Sequence, residues 1–235
     1  MKRLLALSLL TLLAACTLAP ESAPPRDETA DQAVAWPPYP YRERAAADAV
    51  YLLDPARSSI DFVVRREGPL ARFGHDHVLS PTALEGWFLA ADTPEAVRAD
   101  LRFPTRELAI DDAPSRARYA LDTTPDAEAI AGTRENLLRE VLRSEDWPVV
   151  TVTLDPAAMT DTGGDVGFSL RWGGAEYRLQ RPVDMVRDAR EIRLSGTFRV
   201  RQTEIGMTPL SIMGGGLRVR DEIEVHLDLR GTRLE

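Results

Sequence analysis

From residue 58 to the end, most of the chain alternates apolar and polar residues with period two, the pattern of strands that bury one face. Strands are predicted at 58–64, 83–91, 97–103, 149–154, 166–172, 175–186, 192–200 and 217–229. The last is the clearest. Ile223, Val225, Leu227 and Leu229 share one face, and Glu222, Glu224, His226 and Asp228 share the other. Gly163-Gly164-Asp165 reads as a turn before one strand, and Gly173-Gly174 as a two-residue hairpin turn after it.

One stretch breaks the alternation. Thr124-Pro125-Asp126 offers a cap, a proline at the first helical position and an acid in the first turn. Ile130, Leu137, Leu138, Val141 and Leu142 then follow helical spacing, Gly132 weakens the first half, and 144–148 ends the run. A further helical turn is expected at 113–120. Eight or so antiparallel strands must close or stack to protect their edges. The expected fold is therefore mainly β, about eight antiparallel strands closed into a barrel or stacked, with a helical insertion. Such a barrel holds packed side chains or one small ligand.

The N-terminus follows different rules. Met1, Lys2 and Arg3 precede an apolar run from Leu4 to Leu13, the layout of a secretory leader and too short to span a bilayer. Leu13-Ala14-Ala15-Cys16 resembles the lipobox of bacterial lipoproteins, whose leader is cut before a cysteine that carries the lipid. That resemblance implies a signal peptide at 1–15, lipidation of Cys16, and anchoring in the cell envelope. By the same resemblance to lipoproteins, Thr17 in place of an aspartate after the cysteine implies the outer membrane, with the protein facing the periplasm. Residues 16–48 are rich in Pro, Ala and acids and read as a tether. Trp36, Tyr39 and Tyr41 could dock on the folded part, which is taken as one domain at 49–235. Cys16 is the sole cysteine, so the domain has no disulfide and must rely on its core. Loss of Lys2 and Arg3, the only charged residues of the leader, takes the formal charge from −8 to −10. That acidity argues against nucleic acid as a partner and against a polybasic grip on anionic lipid.

Several motifs together resemble the YceI family. Tyr51-x-Leu53-Asp54-Pro55-x-Arg57-Ser58-x-Ile60-x-Phe62-x-Val64 is similar to its opening. Thr133-Arg134-Glu135-Asn136-Leu137 and Leu142-Arg143-Ser144-Glu145-Asp146-Trp147-Pro148 are similar to its helix and strand entry. Phe198-x-Val200, followed by 202–207, is similar to its approach to the last strand. The resemblance runs over 50–231 and implies a closed antiparallel lipocalin-like barrel of about eight strands with a helical insertion, enclosing a long isoprenoid chain. Gln202 stands where the family often has arginine and Ile205 where it often has an aromatic. Gly74-His75-Asp76-His77 is shared by only some members.

Two kinds of site follow. Alternation shows which positions share a buried face, but not whether that face lines a cavity or meets in a solid core; the family resemblance implies a cavity. The wall candidates are Phe62, Val64, Trp87, Leu89, Phe103, Phe168, Trp172 and Phe198. The ligand would be an amphipathic lipid-like molecule, polyisoprenoid or quinone-like. Alternatively, His75 and His77, which share a side in an extended segment, could bind zinc or copper with His226 or Glu224 as a third ligand. The plainer reading, which the commonness of His-x-His favours, is that His75 and His77 hydrogen-bond a loop and His226 is a solvated residue on a polar strand face. Asp76 or Glu204 beside a histidine would make a general base. The chain has no recognisable serine or cysteine nucleophile and no complete metalloprotease motif, and Gly214-Gly215-Gly216 lacks the lysine of a phosphate loop. A metal-binding protein or metalloenzyme using His75, His77 and His226 is thus the second reading beside a carrier, and a ligand-free envelope protein is the third.

Overall fold

The computed structural model describes residues 36–45, 48–90, 97–155 and 163–234. The strands are β1 (Ala49–Leu53), β2 (Ser59–Glu67), β3 (His77–Pro81), β4 (Glu85–Ala90), β5 (Val97–Pro104), β6 (Leu108–Ile110), β7 (Val149–Asp155), β8 (Gly163–Trp172), β9 (Ala175–Arg187), β10 (Glu191–Arg201), β11 (Ser211–Ile212) and β12 (Leu217–Arg233). Every pairing is antiparallel. β1 with β2, β3 with β4, and β5 with β6 each form one long strand broken by a short kink. These three composite strands, with β7, β8, β9, β10 and β12, make an eight-strand meander. It closes where β12 pairs with both β1 and β2. This is the expected barrel: closure pairs the long strands on both sides, while among the described residues the short β6 pairs with β3 alone.

The helical insertion lies between β6 and β7. It carries α2 (Ala113–Arg118) and α3 (Ala127–Asn136), with Tyr41–Arg44 forming α1 ahead of the barrel. The start of α3 differs from expectation. Asp126 is the N-cap, its carboxylate accepting from the Ala129 amide at 2.8 Å. Aspartate caps more strongly than threonine, so the helix begins after Asp126 rather than at Pro125. Beyond α3 the chain winds one π turn over Leu137–Val141 and stops at Leu142.

The expected turn at Gly163-Gly164-Asp165 is instead the start of β8, paired with Asp184, Val183 and Pro182. The two glycines have φ of 107° and 146°, and a Cβ on Gly163 would sit 2.1 Å from the Val183 carbonyl oxygen. Only glycine continues a strand through that close approach. Gly173 and Gly174 make the predicted hairpin turn, both with positive φ.

The meander gives the barrel two unlike ends. The 68–76 loop, the helical insertion, the 173–174 hairpin and the 202–216 segment gather at one end. At the other end, Tyr51, Phe88, Ile192 and Met185 are fully buried and form a floor. Gly231 lets that floor close, because a Cβ there would lie 2.7 Å from the Phe88 ring.

Candidate functional site: a one-ended apolar cavity

Between floor and upper loops the barrel encloses a cavity of about 530 Å³, within the roughly 300–1,000 Å³ typical of small-molecule sites. Ile223, Val225, Leu227 and Leu229 of β12 all line it, as their alternation requires. Leu194, Leu154 and Val183 extend the wall toward the floor. α3 lies across the upper end, where Ala129, Thr133, Asn136 and Leu137 face the cavity. The rim carries exposed apolar side chains: Phe73 is 61% and Met213 64% exposed.

Of the wall candidates, Phe62, Val64, Phe103, Phe168, Trp172 and Phe198 line the cavity. The rings of Phe62 and Phe103 lie 6.3 Å apart, and those of Phe168 and Phe198 5.8 Å apart. Trp87 and Leu89 are a correction. They point out of the barrel, into a separate cluster with Tyr41 and Val50, while Phe88 and Ala90 point in. Residues 36–45 form a strap over this outer face. Tyr41 stacks on Trp87 at 5.7 Å, and Arg42 lies over the same indole at 4.9 Å. The Tyr41 hydroxyl donates to Asp100 at 2.7 Å. With Gly86–Ala90 buried on both faces, no polar position betrays which way β4 faces, and a one-residue slip turns the whole strand over.

Gln202 and Ile205, the two departures from the family pattern, both line the cavity and are nearly inaccessible. The Gln202 amide donates to the Arg220 carbonyl at 2.7 Å. A glutamine here and an aliphatic side chain beside it give this end of the wall less charge and less ring surface than the family pattern would.

The histidines do not assemble as a metal triad. His75 and His77 line the cavity, their rings 6.3 Å apart. His226 is on the opposite face of the barrel wall, packed on the Tyr119 ring at 4.6 Å and 3.2 Å from the Thr197 hydroxyl. The alternation of β12 dictates this, since Val225 and Leu227 point in. Among the described residues there is no group of three or more His, Cys, Asp or Glu placed to hold a metal ion. Glu224 lies 3.8 Å from His226, on that same outer face.

Neither acid expected beside a histidine is there. Asp76 accepts from the Arg66 amide at 2.9 Å and from Arg65 at 3.1 Å, and Glu204 pairs with Arg181 at 2.5 Å. The acid that does meet a histidine is Asp111, which follows β6 and precedes the cap of α2. Its carboxylate lies 2.6 Å from His77 Nδ1, accepts from the Val78 amide at 3.0 Å, and pairs with Arg116 at 2.6 Å. Burial opposes the Asp111 charge, but His77, the Val78 amide and Arg116 outweigh it and hold the carboxyl below the ordinary aspartate value. α2 is fixed in turn: Arg118 and the Tyr119 hydroxyl both bind the buried Asp61 carboxylate, at 2.8 and 2.7 Å. Burial, then the hydrogen bond to Asp61, pushes the Tyr119 phenol up to about 12.

Sequence reading missed Asp111 because its partner is 34 residues away. The only visible signal was an acid pair, Asp111-Asp112, at the head of an expected helical turn.

Cys16 and the leader lie outside the described residues.

No protein-family model matches the chain, and no curated protein sequence does. Solved structures do match. BcnA of Burkholderia cenocepacia superposes with a TM-score of 0.55 at 10% identity, over 76% of this chain and 98% of that one. A polyisoprenoid binding domain from Saccharophagus degradans, implicated in plant cell wall breakdown, gives 0.51 at 12% identity, over 78% and 98%. A YCEI protein of Campylobacter jejuni gives 0.47 at 12% identity, over 67% and 85%. At such identities the likeness is one of fold: this chain folds as BcnA and the Saccharophagus domain do, into the lipocalin-like barrel that the YceI resemblance implied.

Proposed function

We propose that the barrel is a carrier that binds an amphipathic long-chain molecule, polyisoprenoid or quinone-like, without covalent attachment. The observation that carries this reading is the cavity, which is apolar in its depth, sealed at the floor and polar only near its mouth. Each buried methylene contributes about 0.8 kcal/mol, so a chain of several isoprene units needs no charged contact to bind. The shared fold with a domain described as polyisoprenoid binding supports the same reading.

The carrier is tethered in the envelope, lipidated at Cys16 after removal of 1–15 and facing the periplasm, in the outer membrane. Two observations suit this. Phe73 and Met213 give the rim an apolar edge that a membrane surface would cover. Trp36 packs against Arg102 near the mouth end of β5, and Tyr39 against Arg98 nearer the floor. The strap thus runs down the wall, and its first residue lies toward the mouth.

Organic extraction and mass spectrometry of the purified protein test the carrier role. A stoichiometric long-chain lipid is expected. Val152→Trp, which fills the cavity from β7, is expected to cut occupancy at least about tenfold, because the added ring takes the ligand's volume. A wild-type protein that yields no lipid and takes up no added polyprenol overturns the carrier. For the anchor, Cys16→Ser is expected to abolish palmitate labelling and release the protein from the membrane fraction, since firm attachment requires the acyl chains. Unchanged membrane association of Cys16→Ser would exclude the lipid anchor.

A further inference from the structure

Resting on the carrier reading, we propose that His77, oriented by Asp111, accepts a hydrogen bond from a hydroxyl on the ligand's head, so that the cavity selects uncharged hydroxyl-bearing prenyl lipids. Three observations lead there.

The first is the tautomer. An ionised carboxylate can only accept, so Asp111 at 2.6 Å holds the proton on His77 Nδ1. The uncharged ring then carries its lone pair on Nε2, the form that acceptance from a ligand hydroxyl requires. Among the described residues, none hydrogen-bonds to that nitrogen, and the ring lines the cavity. Asp111 cannot swing away, because the Val78 amide and Arg116 hold its other oxygen. Arg116 is held by the Asp76 carbonyl at 2.8 Å and by the Thr123 carbonyl.

The second is a polar atom without a partner at the same end. His75 also lines the cavity, and its Nδ1 is buried with no hydrogen bond among the described residues. A buried polar atom left this way is unfavourable, and a polar head seated between the two rings relieves it.

The third is charge. The two arginines that line the cavity are already neutralised: Arg66 by Asp122 at 2.8 Å, Arg218 by Glu67 at 3.5 Å. No free cation among the described cavity residues awaits a phosphate, and Asp111 behind His77 would repel one. A hydroxyl suits both the acceptor and the local balance of charge.

The test compares geranylgeraniol, its methyl ether and its monophosphate, measured by titration calorimetry with delipidated protein. The ether keeps the hydrocarbon but cannot donate. The alcohol is expected to bind about tenfold more tightly than the ether, the usual worth of one buried hydrogen bond, and more tightly than the monophosphate. His77→Leu is expected to remove the preference while keeping ether binding. Asp111→Asn is expected to do the same through His77: an asparagine amide donates to Nδ1 and moves the proton to Nε2. Nitrogen NMR of the wild type should show protonated Nδ1 and unprotonated Nε2 on His77, reversed in Asp111→Asn. Equal affinity of wild type for alcohol and ether, or tighter binding of the monophosphate, overturns the head-group assignment and leaves the carrier standing. Failure of all three to bind overturns both.

Discussion

Asp111→Ala is expected to lower the unfolding free energy by about 3–5 kcal/mol, the range for removing one partner of a buried ion pair. The carboxylate is fully buried, and Arg116 is 9% exposed. Alanine leaves that guanidinium uncompensated and strips both the Val78 amide and His77 of their acceptor. The backbone adds to the cost. Asp111 sits at φ 58°, a left-handed conformation that aspartate tolerates better than alanine. Asp111→Asn keeps the shape and the Val78 hydrogen bond, and should lose less. Urea unfolding measures both variants. The pH dependence gives a second check. The folded-state pKa lies below the unfolded one, so the contribution of this charge is complete above about pH 4 and fades as the pH falls through the folded value. The stability gap between wild type and Asp111→Asn should therefore narrow below about pH 4. A gap that is constant or widens in acid would show that the charge on Asp111 is not what stabilises this corner.

The second large effect lies on the other side of the barrel wall. Trp87→Ala is expected to cost about 3–5 kcal/mol, as for other buried tryptophans, without lowering ligand occupancy. The indole is 6% exposed and makes the floor on which the strap sits. Its loss removes the Tyr41 stack and the Arg42 contact, and opens a void beside Val50 and Leu89. Tyr41 still donates to Asp100, which also holds Arg98 and Thr153, so the strap is weakened rather than detached. Thermal unfolding and lipid extraction of the same sample separate the two claims. A stability loss with full occupancy fits Trp87 on the outer face. Loss of bound lipid from folded protein would place it in the cavity wall.

Much of the barrel is legible in the chain because a strand with one wet face announces itself. β12 shows this best: four aliphatic residues face in, four polar ones face out, and the structure keeps them so. β4 shows the limit. Its outer face is covered by the strap, so the alternation that would assign Trp87 and Phe88 to opposite sides is erased. The kinks that split the first three composite strands leave pieces as short as Leu108–Ile110, too brief for periodicity to register. Glycine misled at 163–164, where it serves a close strand pairing instead of a turn.

The sequence by itself settled what is local or repeats along the chain: strand against helix, the buried face of each one-sided strand, the hairpin at Gly173-Gly174, and the family-like order of motifs. Tertiary structure alone decided what depends on which strands become neighbours. Ring closure placed His75 and His77 inside and His226 outside, set Asp111 just past β6 against His77 of β3, and left a hollow between walls and floor. The physical reason is range. Backbone geometry and side-chain polarity act over a few residues, whereas a cavity and a buried ion pair exist only between segments that folding brings together.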